Sequence, residues 1–177
     1  MAGPKDIRRL AFQALFQLDA RQGGTSADLA GWLDDLAESE NLSPKDKHAA
    51  TEQALAAYAH RAKADAAMAK LAPAWPAHRQ AAVDRAILRL AYHEMFAGHT
   101  PPKVVVNEAV QLAKEFSTER SPAFINGLLD KVLKEVLAAK ASAESTPAPG
   151  QAGDSAGDAG QSTQGEGEEP GPVGGAG

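Results

Sequence analysis

Between Ile7 and Val136 apolar residues recur every three or four positions, and proline or glycine stands near most breaks in the pattern. That spacing lines one face of an α-helix and cannot supply the alternating faces of a strand. The residue types agree. Aromatic residues make up only 5% of the chain, so a core must come mainly from Leu, Ala, Val and Ile. A sheet would call for more aromatic and β-branched residues. The expected class is all-α.

Individual helices can be read from their punctuation. The first runs from about Asp6 to Arg21, with Ile7, Leu10, Ala11, Ala14, Leu15 and Leu18 on one face, and stops at Gly23-Gly24. A second starts at a Ser26 cap and carries Leu29, Trp32, Leu33 and Leu36. Ser43-Pro44 pairs a cap with proline at the first helical position. It opens an alanine-rich helix reaching about Leu71, with His60 as its candidate break. Pro73 and Pro76 then divide the chain into halves, about 1–75 and 76–141. In the second half a helix from about His78 to Ala97 buries Val83, Ile87, Leu90, Ala91 and Tyr92, and Gly98 closes it. Another runs from Lys103 to Phe116. The last opens at Ser121-Pro122 and carries Phe124, Ile125, Leu128, Leu129, Val132 and Val136.

From Ser142 the composition changes, and ten of the sixteen glycines fall there. A segment with so little to bury is expected to stay disordered, which makes 142–177 an acidic, glycine-rich tail. No Lys or Arg follows Lys140, whereas Glu144, Asp154, Asp158, Glu166, Glu168 and Glu169 do. Setting these six acids aside leaves 18 basic against 17 acidic residues, so the overall −5 becomes +1 over 1–141. An acidic total therefore does not argue against a nucleic-acid partner. The glycines of 171–177 have no flanking strand and helix, so they do not read as a phosphate loop.

Chemistry is harder to find. The chain has no cysteine, which excludes disulfides, thiol catalysis and Cys-ligated zinc. It has neither a signal-peptide pattern nor an apolar run long enough to span a membrane, so a cytoplasmic location is expected. His93-Glu94 begins like a zinc-protease helix, but Ala97 stands where the second histidine is needed. Five histidines at this spacing read as ordinary core or surface residues, and no metal or cofactor is expected. Glu108, next to Asn107 among apolar residues, is either a buried anchor with partners or exposed. No nucleophile elbow, Walker loop or dinucleotide fingerprint occurs. Binding is expected, not catalysis.

Cations supply the positive candidates. Lys5, Arg8 and Arg9 crowd the start of the first helix, where the helix dipole mildly disfavours them. RNA phosphates would give them a purpose, and Phe16 could stack a base. A second patch comprises Arg120 with Lys131 and Lys134, near the helix start at Ser121. A solvated surface is the competing reading of both patches.

Several motifs in order resemble one family. Pro102-Lys103-Val104-Val105-Val106-Asn107-Glu108-Ala109-Val110, followed by Leu112-Ala113-Lys114, is similar to the signature helix of the NusB antitermination factors. Phe124-Ile125-Asn126-Gly127-Leu128-Leu129-Asp130-Lys131 matches the final motif of that family. Ala86-Ile87-Leu88-Arg89-Leu90-Ala91 with Glu94 resembles its central helix, and Arg8, Ala11 and Gln13-Ala14-Leu15-Phe16 its first. The resemblance covers about 5–138, strongly after residue 83. It implies two small helical bundles packed across each other. It also implies binding of single-stranded boxA RNA together with NusE, a small-subunit ribosomal protein, and polymerase read-through of ribosomal RNA operons. Other antitermination factors and RNA polymerase would be engaged indirectly, and an exposed apolar stripe would permit a homodimer.

By the same resemblance, Lys5, Arg8 and Arg9 meet RNA phosphates near Phe16. Arg120, Ser121 and Phe124 share that surface, and Asp84 faces NusE. The chain departs from the family where Asp6 interrupts the N-terminal basic cluster, where Arg120 occupies a commonly acidic position, and at Pro122. The alternative is a non-catalytic RNA-binding or adaptor module, like the helical domain that opens some ribosomal RNA cytosine methyltransferases.

Overall fold

The computed structural model describes residues 3–39 and 42–144; the expected tail beyond Glu144 lies outside the described residues. Those residues form seven α-helices and no strand: α1 (Pro4–Ala20), α2 (Ser26–Ser39), α3 (Pro44–Ala59), α4 (Arg61–Leu71), α5 (Ala82–Ala97), α6 (Pro102–Phe116) and α7 (Ser121–Glu144). A 3-10 turn at Ala77–Arg79 leads into α5. The alanine-rich stretch over 44–71 is thus two helices, broken at His60, the candidate break. The chain turns at His60, with φ −91° and ψ 5°, although neither glycine nor proline stands there. The last helix includes Ser142–Glu144, the first three residues of the expected tail.

Local chemistry explains most helix ends. The Ser43 hydroxyl accepts the Asp46 N–H at 3.2 Å, and the Asp46 carboxylate accepts the Ser43 N–H at 3.2 Å. Two donors left over at the helix start are satisfied reciprocally. The cap of α2 is Thr25, not Ser26: the Thr25 N–H donates to Asp28 Oδ2 at 2.6 Å, and Asp28 N–H returns to Thr25 Oγ1 at 3.4 Å. Gly98 closes α5 at φ +76°, a left-handed conformation that only glycine adopts without strain.

Helices α1, α2 and α3 pack as one group and α4 to α7 as another, with α5 touching α1, α3, α4, α6 and α7. The two small all-α bundles are as expected, but the grouping divides the chain near His60 and not at Pro73–Pro76, because α4 packs on α5 and α7. The central place of α5 explains its composition. A helix covered on several sides must be apolar nearly all round, and every residue from Ala86 to Tyr92 is buried. Val83, nearer the end of α5, is only half-buried. Between α1 and α3 the buried faces are rich in alanine (Ala11, Ala14, Ala50, Ala54 and Ala57), so the two backbones can approach closely.

Charged groups then tie the bundles. Arg89 on α5 donates Nε and Nη2 to the two carboxylate oxygens of Asp65 on α4, at 2.8 and 2.7 Å, and Nη1 to Asp19 on α1 at 2.8 Å. Arg85, one turn earlier, donates to the other oxygen of Asp19 at 2.6 and 3.0 Å. Burial alone would raise the Asp19 pKa, but hydrogen bonds and charge from Arg85 and Arg89 together hold it below the ordinary value. Planar guanidinium forks suit such bidentate contacts.

His60, at the turn between α3 and α4, meets His93 of α5 with Nδ1 atoms 3.3 Å apart, one ring donating and the other accepting. Burial lowers the His93 pKa from its ordinary 6.5; His60 and His99 lower it further, while Glu94 opposes the shift.

Two outcomes follow. Replacing Arg89 by alanine leaves Asp19 and Asp65 short of donors, and chemical denaturation should show a loss of about 2–3 kcal/mol, discounted from the fully buried case because Asp65 is partly exposed. For His93, the unfolded chain takes up its proton first on acidification. The contribution of neutral His93 is therefore present above about pH 6.5 and declines as pH falls from 6.5 toward the lower folded pKa. His93→Gln should flatten that segment of a melting-temperature profile, and an unchanged profile would contradict the assignment.

Candidate nucleic-acid interface

The cations at the start of α1 divide by helix face. Arg8 turns inward: its side chain is 7% exposed. Its Nε donates to both oxygens of Glu94 at 2.9 and 2.8 Å, and Nη1 lies 3.8 Å from Glu108. Arg8 is therefore an internal anchor in this structure, where the expectation had it meeting an RNA phosphate. The physical reason is its place on the stripe that packs against α5. Glu108 is the buried anchor of the two readings given above. Lys5 and Arg9, on either side of the stripe, point outward. The Lys5 side chain is 75% exposed and 3.6 Å from Glu108. Arg9 is 39% exposed, pairs with Glu115 at 2.8 Å, and lies 5.3 Å over the Phe116 ring.

Phe116 links this end to an aromatic recess. Phe12, Gln13, Phe16, Gln17, Trp32, Val83 and Phe116 line a cavity of about 190 Å³, with Phe12 and Phe116 rings 5.1 Å apart. Phe16 is half-buried, neither core nor fully free. Gln13 Oε1, buried within α1, accepts no hydrogen bond from the described residues.

A second recess, of about 410 Å³, is lined in part by residues close in sequence to those of the first: Asp84 follows Val83, and Thr118 stands two past Phe116. Its walls include Trp75, Arg79, Asp84, Arg120, Ser121 and Phe124. Arg120 is exposed and Phe124 half-buried. Ser121 is buried and does not cap α7. Its hydroxyl donates to Asp84 Oδ2 at 2.9 Å, while Ser117 Oγ donates to Asp84 Oδ1 at 2.6 Å. Asp84 is accordingly buried with both oxygens occupied. Where the expectation had it facing NusE, the structure shows Asp84 holding the start of α7 against α5.

Lys131 and Lys134 do not join this recess. Lys131 donates to the Leu71 carbonyl at 3.2 Å, and Lys134 pairs with Asp130 at 3.1 Å. The fold also brings in Trp75 and Arg79, which sequence patterning alone does not single out. A tryptophan among prolines and followed by arginine at 79 was the available signal. Among the described residues no group of three or more His, Asp or Glu side chains could hold a metal ion, and no helix is long and apolar enough to cross a membrane.

Comparison with known proteins agrees with this architecture. The NusB family model matches residues 5–134. Transcription antitermination protein NusB of Streptomyces coelicolor is 42% identical over 138 residues, covering 77% of this chain and 95% of that protein. Among solved structures, NusB of T. maritima superposes with a TM-score of 0.63 at 31% identity, covering 76% of this chain and 94% of the other. A crystal structure of antitermination factors NusB and NusE in complex with dsRNA has a chain that superposes with a TM-score of 0.62 at 25% identity, covering 74% and 96%. With the family model reaching into every helix described, this chain belongs to the NusB family of transcription antitermination proteins.

Proposed function

We propose that the chain binds the boxA element of single-stranded RNA jointly with NusE, and so promotes read-through of ribosomal RNA operons. The observation that carries this reading is the placing of Lys5 and Arg9 beside Phe116, which also lines the Phe16 recess, with Arg120 and Phe124 lining a second recess. It combines exposed cations with part-buried aromatic rings, the pairing that single-stranded nucleic acid calls for. Phosphates would compete with Glu108 and Glu115 for Lys5 and Arg9. The Arg9–Glu115 pair is exposed on both sides and contributes at most about 1 kcal/mol, and Glu108 keeps Arg8 beside it if Lys5 leaves. A NusB relative solved with NusE and dsRNA supports the choice of partners. The role is one of binding, in the cytoplasm, with polymerase engaged through the assembled complex.

Fluorescence anisotropy with a boxA oligomer, a scrambled oligomer and a duplex tests the reading, with and without NusE. NusE should tighten boxA binding and favour it over both competitors. Equal competition by the scrambled RNA with no effect of NusE would sink the proposal. Reversing charge at Lys5 and Arg9 should reduce the slope of log affinity against log salt by about 0.7 for each phosphate left unneutralised. Arg8 is left intact in that variant because of its internal pairing. An unchanged slope would clear this end of α1 of any phosphate-binding role.

A further inference from the structure

Trp75 is 51% exposed, the most exposed of the large apolar side chains among the described residues. Its exposure is not laxity. Its own N–H donates to the Ala72 carbonyl at 2.9 Å, and its carbonyl accepts Gln80 Nε2 at 2.9 Å. Arg79 lies 5.3 Å from the indole centroid, with its guanidinium tethered to the Ala74 carbonyl at 3.1 Å. Phe124 meets the ring edge-on at 6.4 Å. The ring is thus held by its neighbours on the rim of the 410 Å³ recess, which is roomy enough for one nucleotide.

The charge available to a ligand in this recess is positive. Arg79 and Arg120 are both exposed, whereas the carboxylate of Asp84 is buried with both oxygens taken by Ser117 and Ser121. A fixed aromatic face beside exposed cations suits a base and its phosphate, and a preorganised face loses little freedom on binding.

We propose that the Trp75 recess is a nucleobase subsite: a base of the single-stranded RNA stacks on the Trp75 indole, braced by Arg79, while Arg120 meets the adjoining phosphate. The inference rests on the RNA-binding reading above and extends the RNA path past Phe124 onto the segment between α4 and α5. It also gives Trp75, the exposed aromatic of that segment, a reason for being aromatic.

The test uses the full chain carrying Trp32→Phe, so that Trp75 is the sole tryptophan. The boxA oligomer should quench its fluorescence and reduce its accessibility to acrylamide. In otherwise native protein, Trp75→Ala should weaken boxA binding by about tenfold, with the salt slope and melting temperature little changed, and Trp75→Phe should recover most of the affinity. Wild-type affinity in Trp75→Ala, or no quenching in the single-tryptophan protein, would overturn the subsite. If alanine unfolds the chain, the quenching and the phenylalanine variant decide. The two readings fail differently. Should native protein bind no boxA even with NusE, both fall. Should it bind and respond to charge reversal at Lys5 and Arg9 but not to removal of the Trp75 indole, only the subsite falls.

Discussion

The guanidinium of Arg8, withdrawn from water at the start of α1, is the point on which the arrangement turns. A buried charge is tolerable only when nearly every donor and acceptor around it is engaged, and each partner must then stand at one position. Glu94 of α5 accepts Arg8 Nε on both oxygens. Gln53 of α3 donates Nε2 to Glu94 Oε1 at 2.8 Å, and Glu108 of α6 lies within 3.8 Å of Arg8. Helices from both bundles therefore share one polar node. Apolar packing drives the bundles together but is indifferent to small slides; the node sets the register.

That register also arranges the outer surface. With Arg8 directed inward, helical geometry turns Lys5 and Arg9 to the flanks of the same stripe, where they are accessible. Two turns further along α1, Phe16 stands at the edge of the core, and the end of α6 brings Phe116 beneath Arg9. A second buried polar cluster, Asp84 with Ser117 and Ser121, fixes where α7 starts and so where Arg120 and Phe124 stand. In both places a buried charge serves as the mount for an exposed one.

Much of the fold was legible because helix periodicity and helix termini are local. Ser43 with Asp46 caps α3 through atoms three residues apart, and Gly98 ends α5 by its own backbone freedom. The break at His60 was harder, since it depends on packing against α5 and His93 and not on a breaker residue. The candidate site was legible only in part. Lys5, Arg8 and Arg9 look alike in sequence, yet one is buried and two are not. Trp75 is inconspicuous because no periodic pattern crosses its linker, and its brace by Phe124 comes from a helix 49 positions later.

What the sequence determined by itself is therefore the set of helices, their apolar faces, most of their ends and the family to which the motifs point. These depend on residue spacing and on contacts within a few positions. What only the tertiary structure decided is which charges are internal ties and which stand at the surface. It also decided that Asp84 is a mount for α7, and that Trp75, Arg79 and Arg120 line one recess. Burial and partner choice arise when distant helices meet, so a single stretch of chain carries no record of them.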